Sequence, residues 1–224
     1  MLSKVLLRQS IKASPDMKLF IASLLSGVFA LTSALSFAAG PAPVLVKPDL
    51  VKGEASFATC AGCHAADGNS AIPGNPKLSQ QHPEYLIKQL QEYKSGKRAN
   101  AIMQGLASGL SDEDMRNISY WVTSKKVKPG FATDPALAKE GERIYRGGIA
   151  ERGITACAGC HSPNGAGIPA QNPRLGAQHA EYLATQLTYF RDGVRKNNLQ
   201  MTQVAAKLND REIKALADYI AGLR

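Results

Sequence analysis

The chain has 224 residues, with 27 Lys and Arg against 18 Asp and Glu, a formal net charge of +9, 44% hydrophobic residues and four Cys. These proportions argue against a disordered or polytopic protein, and the length admits one large domain or two small ones of about a hundred residues each. All four Cys and half the His fall in two identical pentapeptides, Cys60-Ala61-Gly62-Cys63-His64 and Cys157-Ala158-Gly159-Cys160-His161, so a general disulfide framework is not expected.

At the N-terminus, Lys4, Arg8, Lys12 and Lys18 precede an uncharged stretch from Leu19 to Val46, and small residues at Ser36-Phe37-Ala38 suit signal-peptidase cleavage. Residues 1–38 therefore read as an export signal cleaved after Ala38, with Met17 as an alternative start. A retained anchor is the rival reading, since Leu19–Ala39 is just long enough to span a bilayer. Removing residues 1–40 takes away four bases and one acid and leaves the remainder near +6, spread evenly over its two halves. There is no basic tail and no aromatic-interleaved Lys/Arg cluster, so no nucleic-acid partner is expected. A mild positive surface serves solubility, or steering toward an acidic partner or an anionic membrane.

Beyond residue 40 the chain repeats itself at an offset of 97. Asn75-Pro76-Lys77-Leu78 falls on Asn172-Pro173-Arg174-Leu175, and Gln81-His82 falls on Gln178-His179. Glu84-Tyr85-Leu86, Gln89-Leu90 and Arg98 fall on Glu181-Tyr182-Leu183, Gln186-Leu187 and Arg195. The offset then becomes 98, and Met103 meets Met201. Before the cysteines the register differs by nine residues, because Gly147–Arg152 belongs to a Gly-rich insertion. The reading is a domain over 41–124, a linker over 125–134 that contains Pro129-Gly130, and a second domain over 135–224.

The elements follow the same repeat. In the first, Gly53 and Phe57 lie on an opening helix, which the pattern predicts to pack on Trp121 of the last helix; Gly141, Tyr145 and Tyr219 are the counterparts. Tyr85, Leu86, Gln89, Leu90 and Tyr93 form the stripe of an amphipathic helix, with Pro83 in its first turn and Gly96 at its end. Ser111 with Asp114, and Asn209 with Glu212, predict a capping box on each last helix. Met115 sits on the apolar face of that helix and reads as core, whereas Met103 and Met201 read as loop residues. Nothing alternates with period two over a useful length, so the fold class is all-α.

Cys-x-x-Cys-His is the attachment signature of c-type haem: two thiols add across the porphyrin vinyls and the adjacent His supplies an axial nitrogen. A redox dithiol or half a zinc site is the competing use of Cys-x-x-Cys, weakened here because His follows at once in both copies and no second Cys pair lies nearby. Two covalently bound haem c groups are expected, on Cys60 and Cys63 and on Cys157 and Cys160, with His64 and His161 on the irons. For the opposite axial position Met103 and Met201 are favoured, and His82 and His179 compete. Pro76 and Pro173, twelve residues after each haem His, place a backbone carbonyl where it would accept the imidazole proton, or are simply turn prolines.

With both pentapeptides, the Asn-Pro-Lys/Arg-Leu pair, the Gln-His, Glu-Tyr-Leu and Gln-Leu segments and the Met pair in place, the chain resembles the dihaem cytochrome c4 family over essentially all of 41–224. The resemblance implies two tandem cytochrome c-like domains related by a pseudo-twofold axis, with haem propionate edges facing across the interface. It also implies periplasmic electron transfer, often to a terminal oxidase and often with loose membrane association. The expected function is to pass electrons from a respiratory donor to a terminal oxidase or reductase, without enzymatic activity of its own. The alternatives are the cytochrome subunit of a flavin-dependent sulfide dehydrogenase and a dihaem peroxidase.

Overall fold

The computed structural model describes residues 47–224. The export signal expected over 1–38, its cleavage after Ala38 and the alternative start at Met17 lie outside these residues.

The first repeat begins with α1 (Leu50–His64), whose N-cap Asp49 accepts hydrogen bonds from the backbone N–H groups of Val51 and Lys52. Helix α2 (Pro83–Lys94) has proline at its first position, where the missing N–H costs nothing. It stops before Gly96, which takes φ +76°. Two further helices complete the unit, α3 (Ala101–Ser108) and α4 (Asp112–Thr123), the latter opened by the Ser111–Asp114 capping box. Helix α4 packs on α1 and α2, and α3 packs on α2.

The second repeat differs mainly at its start. There α5 (Pro135–Gly147) ends at Gly148, and the pentapeptide is carried by a separate short helix, α6 (Ala158–His161). Between them the insertion forms a 3-10 turn over Ala150–Arg152, closed by an isolated bridge between Ile149 and Ile154. The single helix α1 is thus the counterpart of α5 and α6 together, and this break accounts for the nine-residue change of register. Helices α7 (Ala180–Arg191), α8 (Leu199–Ala205) and α9 (Asp210–Ala221) repeat α2, α3 and α4, and α9 opens with the Asn209–Glu212 capping box. No extended strand occurs among the described residues, and the fold class is all-α.

Each repeat has its own core. Phe57, Leu86, Ile118, Trp121 and Val122 cluster in the first, and Ile144, Tyr145, Leu216 and Ile220 lie in the second cluster. Phe57 meets Trp121 at 4.9 Å between ring centroids, and Tyr145 meets Tyr219 at 5.6 Å, as the repeat pattern predicted. Met115 is fully buried and is a core residue. The crossings are close because Gly53 lies against the Asn117 backbone and Gly141 against the Ala215 backbone, leaving no space for a Cβ at either position.

One expectation is corrected. Met103 and Met201 are not loop residues; they sit in the first turns of α3 and α8. Asn100 and Asn198 cap these helices, each side chain accepting a hydrogen bond from the methionine's own N–H at 2.9 Å. Both helices are too short to show a readable apolar period, and the Asn-x-x-Met cap was the local signal for them.

Candidate functional site

The two cysteines of each pentapeptide form no disulfide. Cys60 and Cys63 stand one turn apart at the end of α1, and burial raises the Cys60 thiol above the usual cysteine range. Burial likewise pushes Cys157 up to about 11. His64 and His161 are 6% and 5% exposed. His64 donates from Nδ1 to the Pro76 carbonyl at 2.9 Å, and His161 donates in the same way to Pro173 at 3.0 Å. A carbonyl can only accept, so each ring carries its proton on Nδ1 and presents the Nε2 lone pair. Burial lowers both imidazoles below the usual histidine range and keeps them neutral, the form that binds a metal.

Cys60, Cys63 and His64 line one crevice with Met103 and Leu90, so the first repeat brings the sequence-predicted set into one place. In the second repeat, Cys160 and His161 lie on α6, with Cys157 at its N-cap, and Met201 lies on α8, in the same local geometry. His82 and His179 are directed elsewhere. From Nε2, His82 donates to the Ala166 carbonyl at 3.0 Å and His179 donates to the Ser70 carbonyl at 2.7 Å, each in the opposite repeat.

The residues not foreseen are those that join the repeats. Gln81 and Arg174 exchange two hydrogen bonds, and Gln178 and Lys77 exchange the equivalent pair. Arg98 reaches Tyr182 and Gln186, while Arg195 reaches Tyr85 and Gln89. Both guanidiniums are buried, and among the described residues none of their hydrogen-bond partners is a carboxylate. Burial alone would raise the Tyr85 phenol, but Arg195 and Arg98 bring it below the usual tyrosine range. Glu92, buried in the same layer, accepts from Asn197 and supplies one negative charge against these two positive ones. Arg174 Nε is likewise buried, without a partner among the described residues. Paired cysteines, an Nε2 lone pair beside them and an apolar crevice together fit haem c.

The cytochrome c family model matches the chain twice, over residues 50–126 and 138–224. Cytochrome c4 of Pseudomonas aeruginosa is 46% identical over 179 residues, covering 78% of this chain and 89% of the relative. The chain belongs to the dihaem cytochrome c4 family. A crystal structure of reduced cytochrome c4 from Pseudomonas stutzeri superposes with a TM-score of 0.76 at 45% identity, covering 80% of this chain and all of that one. A thiosulfate dehydrogenase electron acceptor of Stutzerimonas stutzeri is 39% identical over 170 residues, covering 73% of this chain and 78% of the relative. As a cytochrome c4, the chain binds two haem c groups covalently, through Cys60 and Cys63 and through Cys157 and Cys160, and transfers electrons. Among the described residues no helix is long and apolar enough to cross a membrane.

Proposed function

We propose that this cytochrome c4 is an exported, periplasmic carrier that takes electrons from a respiratory donor and delivers them to a terminal oxidase or reductase. In this reading it has no catalytic site of its own, and its contact with the membrane is peripheral. Its two folding units are residues 41–124 and 135–224, joined by 125–134. His64 and Met103 hold the first iron, and His161 and Met201 hold the second.

The observation that carries the reading is the fixed Nδ1–H tautomer of a buried His in the same crevice as a Met thioether. When bound, each haem would supply a one-electron couple, and a Met thioether as ligand would give it a higher potential than a second imidazole would. The chain's part is to hold these ligands still and to line the crevice with the apolar side chains of Leu90, Leu106 and Leu110. With His and Met both held to it, an iron would have no open position for a substrate, and this reading therefore favours a carrier over a peroxidase.

Spectroscopy of the oxidised protein tests the ligands. A far-red Met-to-ferric-iron band is expected from both haems, with no carbon monoxide binding after reduction. Met103→Leu and Met201→Leu should each remove about half of the band; a band untouched by both substitutions overturns the assignment. A second reading, favoured by the 39% identical relative, is that the donor is a thiosulfate-oxidising enzyme. Rapid haem reduction by such an enzyme together with thiosulfate, and not by either alone, would favour it. Stoichiometric co-isolation with a flavoprotein would instead make the chain a subunit of a larger complex.

A further inference from the structure

The peptide group that holds each buried histidine is itself held from the other repeat. His64 donates to the carbonyl of Pro76, and the N–H of that same peptide unit, on Lys77, donates to Gln178 Oε1 at 2.9 Å. In the twin arrangement, His161 donates to the Pro173 carbonyl and the Arg174 N–H donates to Gln81 Oε1 at 2.8 Å. Both glutamine amides are fixed in orientation. Oε1 of Gln178 also accepts from the His179 N–H, while its Nε2 donates to the Lys77 carbonyl; Gln81 does the same with His82 and Arg174. Only one assignment of O and N satisfies these partners. Gln81, Gln178 and Lys77 are all less than a tenth exposed, so water does not replace these bonds.

A peptide is polarised as a unit. An acceptor on its N–H draws electron density toward the carbonyl oxygen and strengthens the bond that oxygen accepts. A stronger bond to Nδ1–H makes Nε2 a better electron donor, which favours ferric over ferrous iron. We propose that Gln178 and Gln81 are positioning residues that act across the repeat boundary, each setting the donor strength of the axial histidine in the opposite repeat. The effect is crossed: Gln178, from the second repeat, lowers the potential of the first haem, and Gln81, from the first, lowers that of the second. This rests on the reading of His64 and His161 as axial ligands.

The test is a redox titration of the complete dihaem protein followed by nuclear magnetic resonance, with the haem-methyl signals of each repeat giving the two midpoint potentials separately. Gln178→Leu is expected to raise the first-repeat potential and leave the second unchanged; Gln81→Leu is expected to do the reverse. Gln178→Glu keeps an acceptor and adds charge, so it should move the first-repeat potential downward, opposite in sign to the leucine variant. A loss of packing would move it the same way in both. Shifts in the substituted residue's own repeat, equal shifts of both haems, or no shift would overturn the proposal. The axial reading has its own control in the unsubstituted protein. If the Nδ1–H signals of His64 and His161 show no large hyperfine shift in the oxidised state, that reading falls and takes the proposal with it. If the shifts are present and the potentials do not move in the crossed sense, only the proposal falls.

Discussion

Arg98 shows how much one side chain does at the boundary. Its guanidinium donates to Gln89, Tyr182 and Gln186 at 2.9 Å each, a spread that only a planar, multiply donating head can span. Arg98→Lys keeps the charge and loses that geometry, so it should cost about 1–3 kcal/mol in urea unfolding. Glu92 is the sole acid buried in this layer among the described residues, and its counterpart in the repeat is Tyr189. Burial alone would raise its carboxyl, but Lys88, Asn197 and Lys97 outweigh that and hold it below the usual range. A carboxyl lowered in the folded state stabilises the fold above the ordinary carboxylate range and loses that contribution as pH falls through it. Glu92→Gln is therefore expected to flatten the acid limb of stability against pH, read as thermal midpoints from pH 7 down to about 3. The sequence displayed these residues without their role. Tyr85 and Gln89 stand in one helix stripe with Leu86, Leu90 and Tyr93, but nothing local shows that the partners of its polar members lie a hundred residues away.

At the scale of the helices, the sequence was legible where the signal is local. Both capping boxes, the Pro83 start and the aromatic pairs of the opening and closing helices stand in the structure as their residues imply. The short α3 and α8 were not legible as helices, because seven or eight residues cannot display a period. The division of the second opening helix into α5 and α6 was visible only as a shift of register; the turn at Gly148, with φ +70°, is what makes it. The closest helix crossings depend on single hydrogens. A Cβ at Gly53 would overlap the Asn117 carbonyl and one at Gly141 the Ala215 carbonyl, both on backbone that cannot step aside. Gly53→Ala and Gly141→Ala should each destabilise by about 1–3 kcal/mol despite better helix propensity. Ser111→Ala, which removes half a capping box at an exposed site, should cost about 1 kcal/mol. Chemical unfolding of the three variants side by side gives that ranking.

For the whole molecule, the repeat and the two haem signatures were plain in the sequence, whereas the way the halves meet was not. The polar segment expected as a linker lies against both repeats. The Lys128 N–H donates to Asn69 and its carbonyl accepts from Lys77, while Thr133 donates twice to Asp218. Cutting the chain there should not release the halves. With a protease site inserted between Phe131 and Ala132, the cleaved protein is expected to elute as a single particle of unchanged size; two smaller species would contradict this. The twin clamps of Gln81 on Arg174 and Gln178 on Lys77 have one more property. They are isologous: each half offers a glutamine amide and the backbone of the residue after its proline, Lys77 or Arg174, and receives the equivalent groups in return. A contact of this symmetry closes on itself. Once the two halves of a chain have met, both copies of the surface are spent, and none is left through which the molecule could add a third unit or grow into a filament.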